Sequence, residues 1–145
     1  MSLAKELTSE YPDVNFVLMI HPSGLNKKPD FEKIKQAGIS LLRFAYAPNE
    51  WELLEKHIPA AIEVGISIST NVTYSSRYSQ EELEKIYEKL LRIFSPNIIY
   101  LADSCSAFYP NQVRELYNSL KSNQDVSLGF HAHDFLSLAF ANSLT

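Results

Sequence analysis

QAGISLLRF, residues 36–44, and EVGISISTN, residues 63–71, turn on nearly the same four letters. Ala37-Gly38-Ile39-Ser40 and Val64-Gly65-Ile66-Ser67 each place a glycine between a charged, periodic stretch and an apolar run. Glycine suits the left-handed position just past a helix, where a Cβ is penalised. The next strand then begins at once. Outward from these junctions, five short apolar runs stand out: residues 15–20, 39–44, 66–71, 98–102 and 126–130. They are rich in Ile, Leu, Val or Phe and do not alternate strictly, which suits strands buried on both faces of a parallel sheet. Their starts recur about every 25–32 residues, the length of one strand-plus-helix unit with its loops.

Amphipathic patterns lie between the runs. In EELEKIYEKLLRIF, residues 81–94, Leu83, Ile86, Tyr87, Leu90 and Phe94 form one stripe with the charges opposite. Ser79 and Glu82 spell a capping box at its start. Val113, Leu116, Tyr117 and Leu120 form a second stripe behind Pro110, which fits a first helical turn. A third pattern, about residues 50–64, contains Pro59, so a kink or restart is expected there. Right-handed crossovers would place the helices outside one parallel sheet, giving an α/β fold. With no linker, low-complexity segment or charge block, residues 1–145 read as a single domain. A doubly wound sheet built for a nucleotide needs a glycine-rich phosphate loop. The four glycines form neither GxGxxG nor GxxxxGK. A (β/α)8 barrel takes about 250 residues, so this chain has room for about five parallel βα units of a partial TIM barrel.

Composition narrows the partners. The net charge of −4 and pI near 5.5 provide no basic field for nucleic acid or anionic lipid. Apolar runs fall short of the ~18–20 residues of a membrane span, and no signal-peptide pattern opens the chain. The single cysteine, Cys105, cannot staple the fold and points to a reducing compartment. A cytoplasmic protein is expected.

The chemistry-bearing residues gather where the runs end. In a strand, residues two apart share a face, so His131 and His133 of GFHAHDFLSLAFANSL, residues 129–144, would present both imidazoles together. Two neutral imidazoles begin a divalent-metal site that a carboxylate and waters would complete. The bland alternative has one ring capping a helix and the other in solvent. Asp103 and Ser104 close the preceding run and could orient a ligand or support a metal's surroundings. Asp103 could equally cap its own loop. Arg43 could grip a carboxylate or make a structural ion pair. Asn71 is a possible polar contact. His21 reads as a surface-loop histidine and Cys105 as an inert thiol.

The run IYLADSxxxxYPxxVRELYxSL followed by LGFHAHDFLSLAFANSL resembles the divalent-metal aldolases and lyases of the DRE-TIM family, nearest to 4-hydroxy-2-oxovalerate aldolase-like proteins. Only the last ~45 residues carry specific motifs. The resemblance implies that His131 and His133, on the seventh barrel strand, are metal ligands for Mn²⁺ or Mg²⁺. It places Asp103 and Ser104, on the sixth strand, near a bound small-molecule oxoacid. The implied activity is retro-aldol cleavage of a 4-hydroxy-2-oxoacid to pyruvate and an aldehyde. A Claisen-type acyl-CoA synthase of the same superfamily and a non-catalytic scaffold domain are the alternatives.

Two departures stand out. The family usually has glycine two residues past the serine of the Asp-Ser pair, and Ser106 stands there. Counting back from strand seven makes residues 15–20 strand three, so strands one, two and eight are expected to be absent. The family's metal-binding aspartate lies on strand one. These residues alone are therefore expected to bind metal weakly and to lack activity. The exposed sheet edges are expected to pair with another copy or with flanking segments.

Overall fold

The computed structural model describes residues 2–24, 29–121 and 126–145. Five strands, β1 (Val17–Ile20), β2 (Leu41–Tyr46), β3 (Ser67–Val72), β4 (Ile98–Asp103) and β5 (Ser127–Ala132), alternate with helices. The helices are α1 (Ser2–Glu10), α2 (Phe31–Gln36), α3 (Trp51–Glu63), α4 (Gln80–Phe94), α5 (Pro110–Leu120) and the short α6 (Ala139–Ser143). Strand order follows chain order, and β1–β2 and β4–β5 are parallel ladders. This is the α/β pattern of consecutive βα units, and all five expected strands form within two residues of their predicted limits. The chain divides into two compact units, Met1–Ser69 and Thr70–Thr145. No described helix is long and apolar enough to cross a membrane.

In the first unit, Gly38 and Gly65 lie at φ +82° and +76°, as expected for left-handed turns after α2 and α3. Gly38 has a second reason to lack a side chain. A Cβ there would lie 2.8 Å from Thr8, whose hydroxyl donates to the Ala37 carbonyl at 2.8 Å. That contact docks α1, a helix whose weak apolar pattern gave no sequence signal. The α2 N-terminus is capped by Asp30, which accepts the Lys33 amide at 3.1 Å. Leu54, His57, Ile58 and Ala61 form the buried stripe of α3. Of the kink or restart expected at Pro59, the restart does not occur: α3 is one helix with the proline inside it. Buried Leu54, Ile58 and Ala61 hold the helix on both sides of the proline. In β1–β2, Met19 pairs with Arg43 and Ile20 with Phe44. Leu42 and Phe44 are buried on one face of β2, while Arg43 shares the alternate face with Met19, which is half exposed.

In the second unit, the capping box on α4 forms as expected. Glu82 Oε2 accepts the Ser79 amide at 2.7 Å, and Ser79 Oγ accepts the Glu82 amide at 3.3 Å. Leu83, Tyr87, Leu90 and Phe94 are buried. Pro110 opens α5, whose Val113, Leu116 and Leu120 are buried. Tyr117 departs from its expected core place. It is 50% exposed, and the Lys121 ammonium lies 5.8 Å from its ring centre.

Candidate functional site

The register of β4 against β5 decides which side chains share a face. Tyr100 stands opposite Gly129 and Ala102 opposite His131. A Cβ on Gly129 would run into the Tyr100 ring, so that ring covers the glycine. The two-residue alternation puts Tyr100, Ala102, Gly129 and His131 on one face. Leu101, Leu128 and Phe130 take the other. There, with Val113 and Leu116 of α5, they line an apolar cavity of about 360 Å³. His131 thus stands one step above the tyrosine–glycine layer, with Ala102 as its cross-strand partner.

His133 follows directly after β5. The two imidazole centres are 5.0 Å apart with 13° between ring planes, so both rings lie on the same side of the chain, stacked. His133 is exposed and His131 partly so. Two imidazoles on one side, open to solvent, fit half of a divalent-metal coordination sphere. Among the described residues no group of three or more His, Cys, Asp or Glu could hold a metal. The neighbouring carboxylate of Asp134 accepts the Ala139 amide on Oδ1 at 3.0 Å.

Ser104, just past β4, accepts the Tyr74 amide on Oγ at 3.0 Å, which leaves its O–H to donate. Asp103 is turned the other way. It is buried on the Leu101 face, where Oδ1 accepts the Ala107 amide at 2.9 Å and Oδ2 the Phe108 amide at 3.0 Å. Its geometry is that of the loop cap. A buried carboxylate holding two amides fixes the turn from β4 to α5. Ser106, within that turn, is buried at φ +52°, and its Oγ accepts the Phe135 amide at 3.1 Å.

Asn71 is buried near the end of β3, and its Oδ1 has no hydrogen-bond partner, which leaves an acceptor to be satisfied. Arg43 does not end its strand as expected. It is the third residue of β2, which continues to Tyr46. His21 lies on the surface, as expected, with Nδ1 2.9 Å from Ser23 Oγ and 3.5 Å from Glu50 Oε1. Cys105 is a free thiol. Sequence reading missed the roles of Ser106, Asp134 and Asn142. The last is buried, and its Nδ2 donates to the Phe108 carbonyl at 2.9 Å. Ser, Asp and Asn in loops advertise side-chain-to-backbone bonds, but spacing alone does not say which amide or carbonyl they reach.

A model of the HMGL-like family matches residues 47–145. The 4-hydroxy-2-oxovalerate aldolase of Geobacillus genomosp. 3 is 30% identical over 144 residues, covering 99% of this chain and 42% of that protein. The enzyme of the same name from Bacillus thuringiensis (strain Al Hakam) is 27% identical over 145 residues, covering 100% of this chain and 42% of its own length. The chain thus spans about two fifths of the curated relatives it matches. Among solved structures, the carboxyl transferase domain of Rhizobium etli pyruvate carboxylase superposes with a TM-score of 0.83 at 16% identity, covering 99% of this chain and 27% of that one. The N-terminal domain of a candidate aldolase from Bacteroides vulgatus gives 0.77 at 21% identity, covering 99% and 48%. At these identities the structural likeness bears on the fold alone.

Proposed function

The chain belongs to the HMGL-like family, and from that premise we propose that it carries the ion- and oxoacid-binding part of a divalent-metal-dependent aldolase. The reaction is cleavage of a C–C bond in a 4-hydroxy-2-oxoacid to give pyruvate and an aldehyde. In this reading residues 1–145 are one incomplete aldolase-type barrel, strands three to seven of eight. The end strands β1 and β5 of the order are where further strands or a second copy would pair.

The observation that carries the reading is the imidazole pair, His131 and His133, on one side of the chain where β5 ends. These two residues hold the ion, Mn²⁺ or Mg²⁺. The chemistry such an ion supplies when bound is Lewis-acid polarisation of a carbonyl. Ser104 donates its free O–H to the oxoacid, its oxygen already fixed by the Tyr74 amide. Asn71 supplies an acceptor for a substrate hydroxyl. Asp103 orients the turn that presents Ser104. The sequence reading adds Arg43 as a guanidinium for the carboxylate. Tyr100 over Gly129 floors the face below His131.

A second reading, a scaffold domain without turnover, is favoured by one observation: among the described residues no third ligating carboxylate, thiol or imidazole joins the pair. Ligand binding separates the two. With Mn²⁺ present, pyruvate should perturb the ion's electron paramagnetic resonance spectrum, Ser104→Ala should weaken that effect, and acetyl-CoA should not reproduce it. An ion that binds but ignores pyruvate would favour the scaffold. Acetyl-CoA acting in pyruvate's place would favour acyl-CoA chemistry.

A further inference from the structure

The chain just after His133 has almost nothing apolar to hold it. Phe135 is 81% exposed and Leu136 is 58% exposed, so neither side chain anchors the segment by burial. What does reach it is a single hydroxyl from another loop, Ser106 Oγ, which accepts the Phe135 amide at 3.1 Å. The residue that carries that hydroxyl is itself held firmly. The Ser106 amide donates to the Asp103 carbonyl at 3.0 Å, and the Asp103 carboxylate takes the amides of Ala107 and Phe108 just beyond. Ser106 is buried, yet its backbone occupies the left-handed region that glycine adopts without penalty and serine does not. A strained residue that persists is a pointer to what its side chain does. Here the side chain makes one bond, and that bond ends two residues past His133.

We propose that Ser106 is a positioning residue for His133, a latch that fixes the ring against His131 so that both nitrogens serve one divalent cation. The proposal rests on the reading of the imidazole pair as the ion site and names what sets its geometry. Glycine in place of Ser106 would relax the backbone and free the loop. The latch therefore trades backbone ease for order at the second imidazole. Asp134, next to His133, reaches a different amide, that of Ala139 further along.

The test uses this chain with Ser106→Gly, Ser106→Ala and Ser106→Asn. Two quantities are read for each: Co²⁺ affinity by calorimetry, and amide hydrogen exchange at Phe135. Glycine removes the hydroxyl and the strain together, alanine removes the hydroxyl alone, and asparagine tolerates the left-handed backbone while keeping an acceptor. Glycine and alanine should each speed Phe135 exchange and weaken Co²⁺ binding by about tenfold, the lower end of what losing an outer partner of a metal-binding histidine costs. Asparagine should recover part of both. A glycine variant that binds Co²⁺ like the wild type, or that protects Phe135 equally, overturns the latch. If the wild type itself takes no Co²⁺, the ion reading fails. The latch then stands only if the His133 ring resonances move in the glycine variant while those of His131 stay, and it falls if neither moves.

Discussion

The turns that lead into strands and the loops that leave them solve the same backbone problem differently. Where α2 meets β2 and α3 meets β3, the left-handed residues are Gly38 and Gly65. Where β3, β4 and β5 end, they are Tyr74, Ser106 and Ser137, at φ +55°, +52° and +56°. Ser95, after α4, also carries a side chain at positive φ, so the division is a tendency. At the first two sites the side chain is dispensed with, and at Gly38 the space goes to Thr8. At strand ends the side chain is kept in spite of the strain. Tyr74 gives its amide to Ser104 and its ring to the Arg77 guanidinium, 4.8 Å from the ring centre, while Ser106 holds the segment after His133. The helix-to-strand turns serve the fold, and the strand-to-helix loops hold their side chains for the face that α/β proteins use for ligands.

The comparison breaks most easily at Asp103, which carries the strand-to-helix side of it. Asp103→Ala leaves two amides without their buried acceptor and should cost about 3 kcal/mol in urea unfolding. A loss near zero would mean that the turn holds itself without the carboxylate. Gly38→Ala comes next. Its positive φ and the Thr8 contact should together cost about 2 kcal/mol, while Gly65→Ala, which meets only the movable Lys35 ammonium, should cost about 1 kcal/mol. Equal losses at the two glycines would show that backbone conformation alone decides, and that the Thr8 contact adds nothing.

The smallest effect is at the α4 cap. The Ser79 amide, and then its hydroxyl, hold the Glu82 carboxyl below the usual carboxylate range. A folded-state value below the unfolded one stabilises at neutral pH, and that contribution disappears as pH falls through the folded value. Glu82→Gln should therefore lower Tm slightly at pH 7, with the gap to wild type closing below about pH 4. A gap that persists at low pH would assign the cap's worth to hydrogen bonding without charge.

How far the sequence alone reaches follows the same line. The strands, α4 with its cap, and both glycine turns are local patterns of apolar spacing and backbone need, so residues within a few positions of each other announce them. Helix α1 was silent because what fixes it is Thr8 meeting Ala37, about thirty positions on. Pro59 starts no new helix because burial on both sides of it outweighs the one bond it removes. At the candidate site, the pairing of the imidazoles followed from the alternation of a strand. Asp103 could be read from sequence as a loop cap or as a ligand contact, and its two amide bonds form the cap. The reach of Ser106 to Phe135 spans two loops, and no spacing rule encodes it.

The most direct measurement is a Mn²⁺ titration of the wild-type chain beside His131→Ala, His133→Ala and the double variant, read by electron paramagnetic resonance. One ion per chain should bind weakly in the wild type, less tightly in each single variant, and not at all when both imidazoles are gone. Binding that survives the double substitution would place the ion elsewhere and contradict the account.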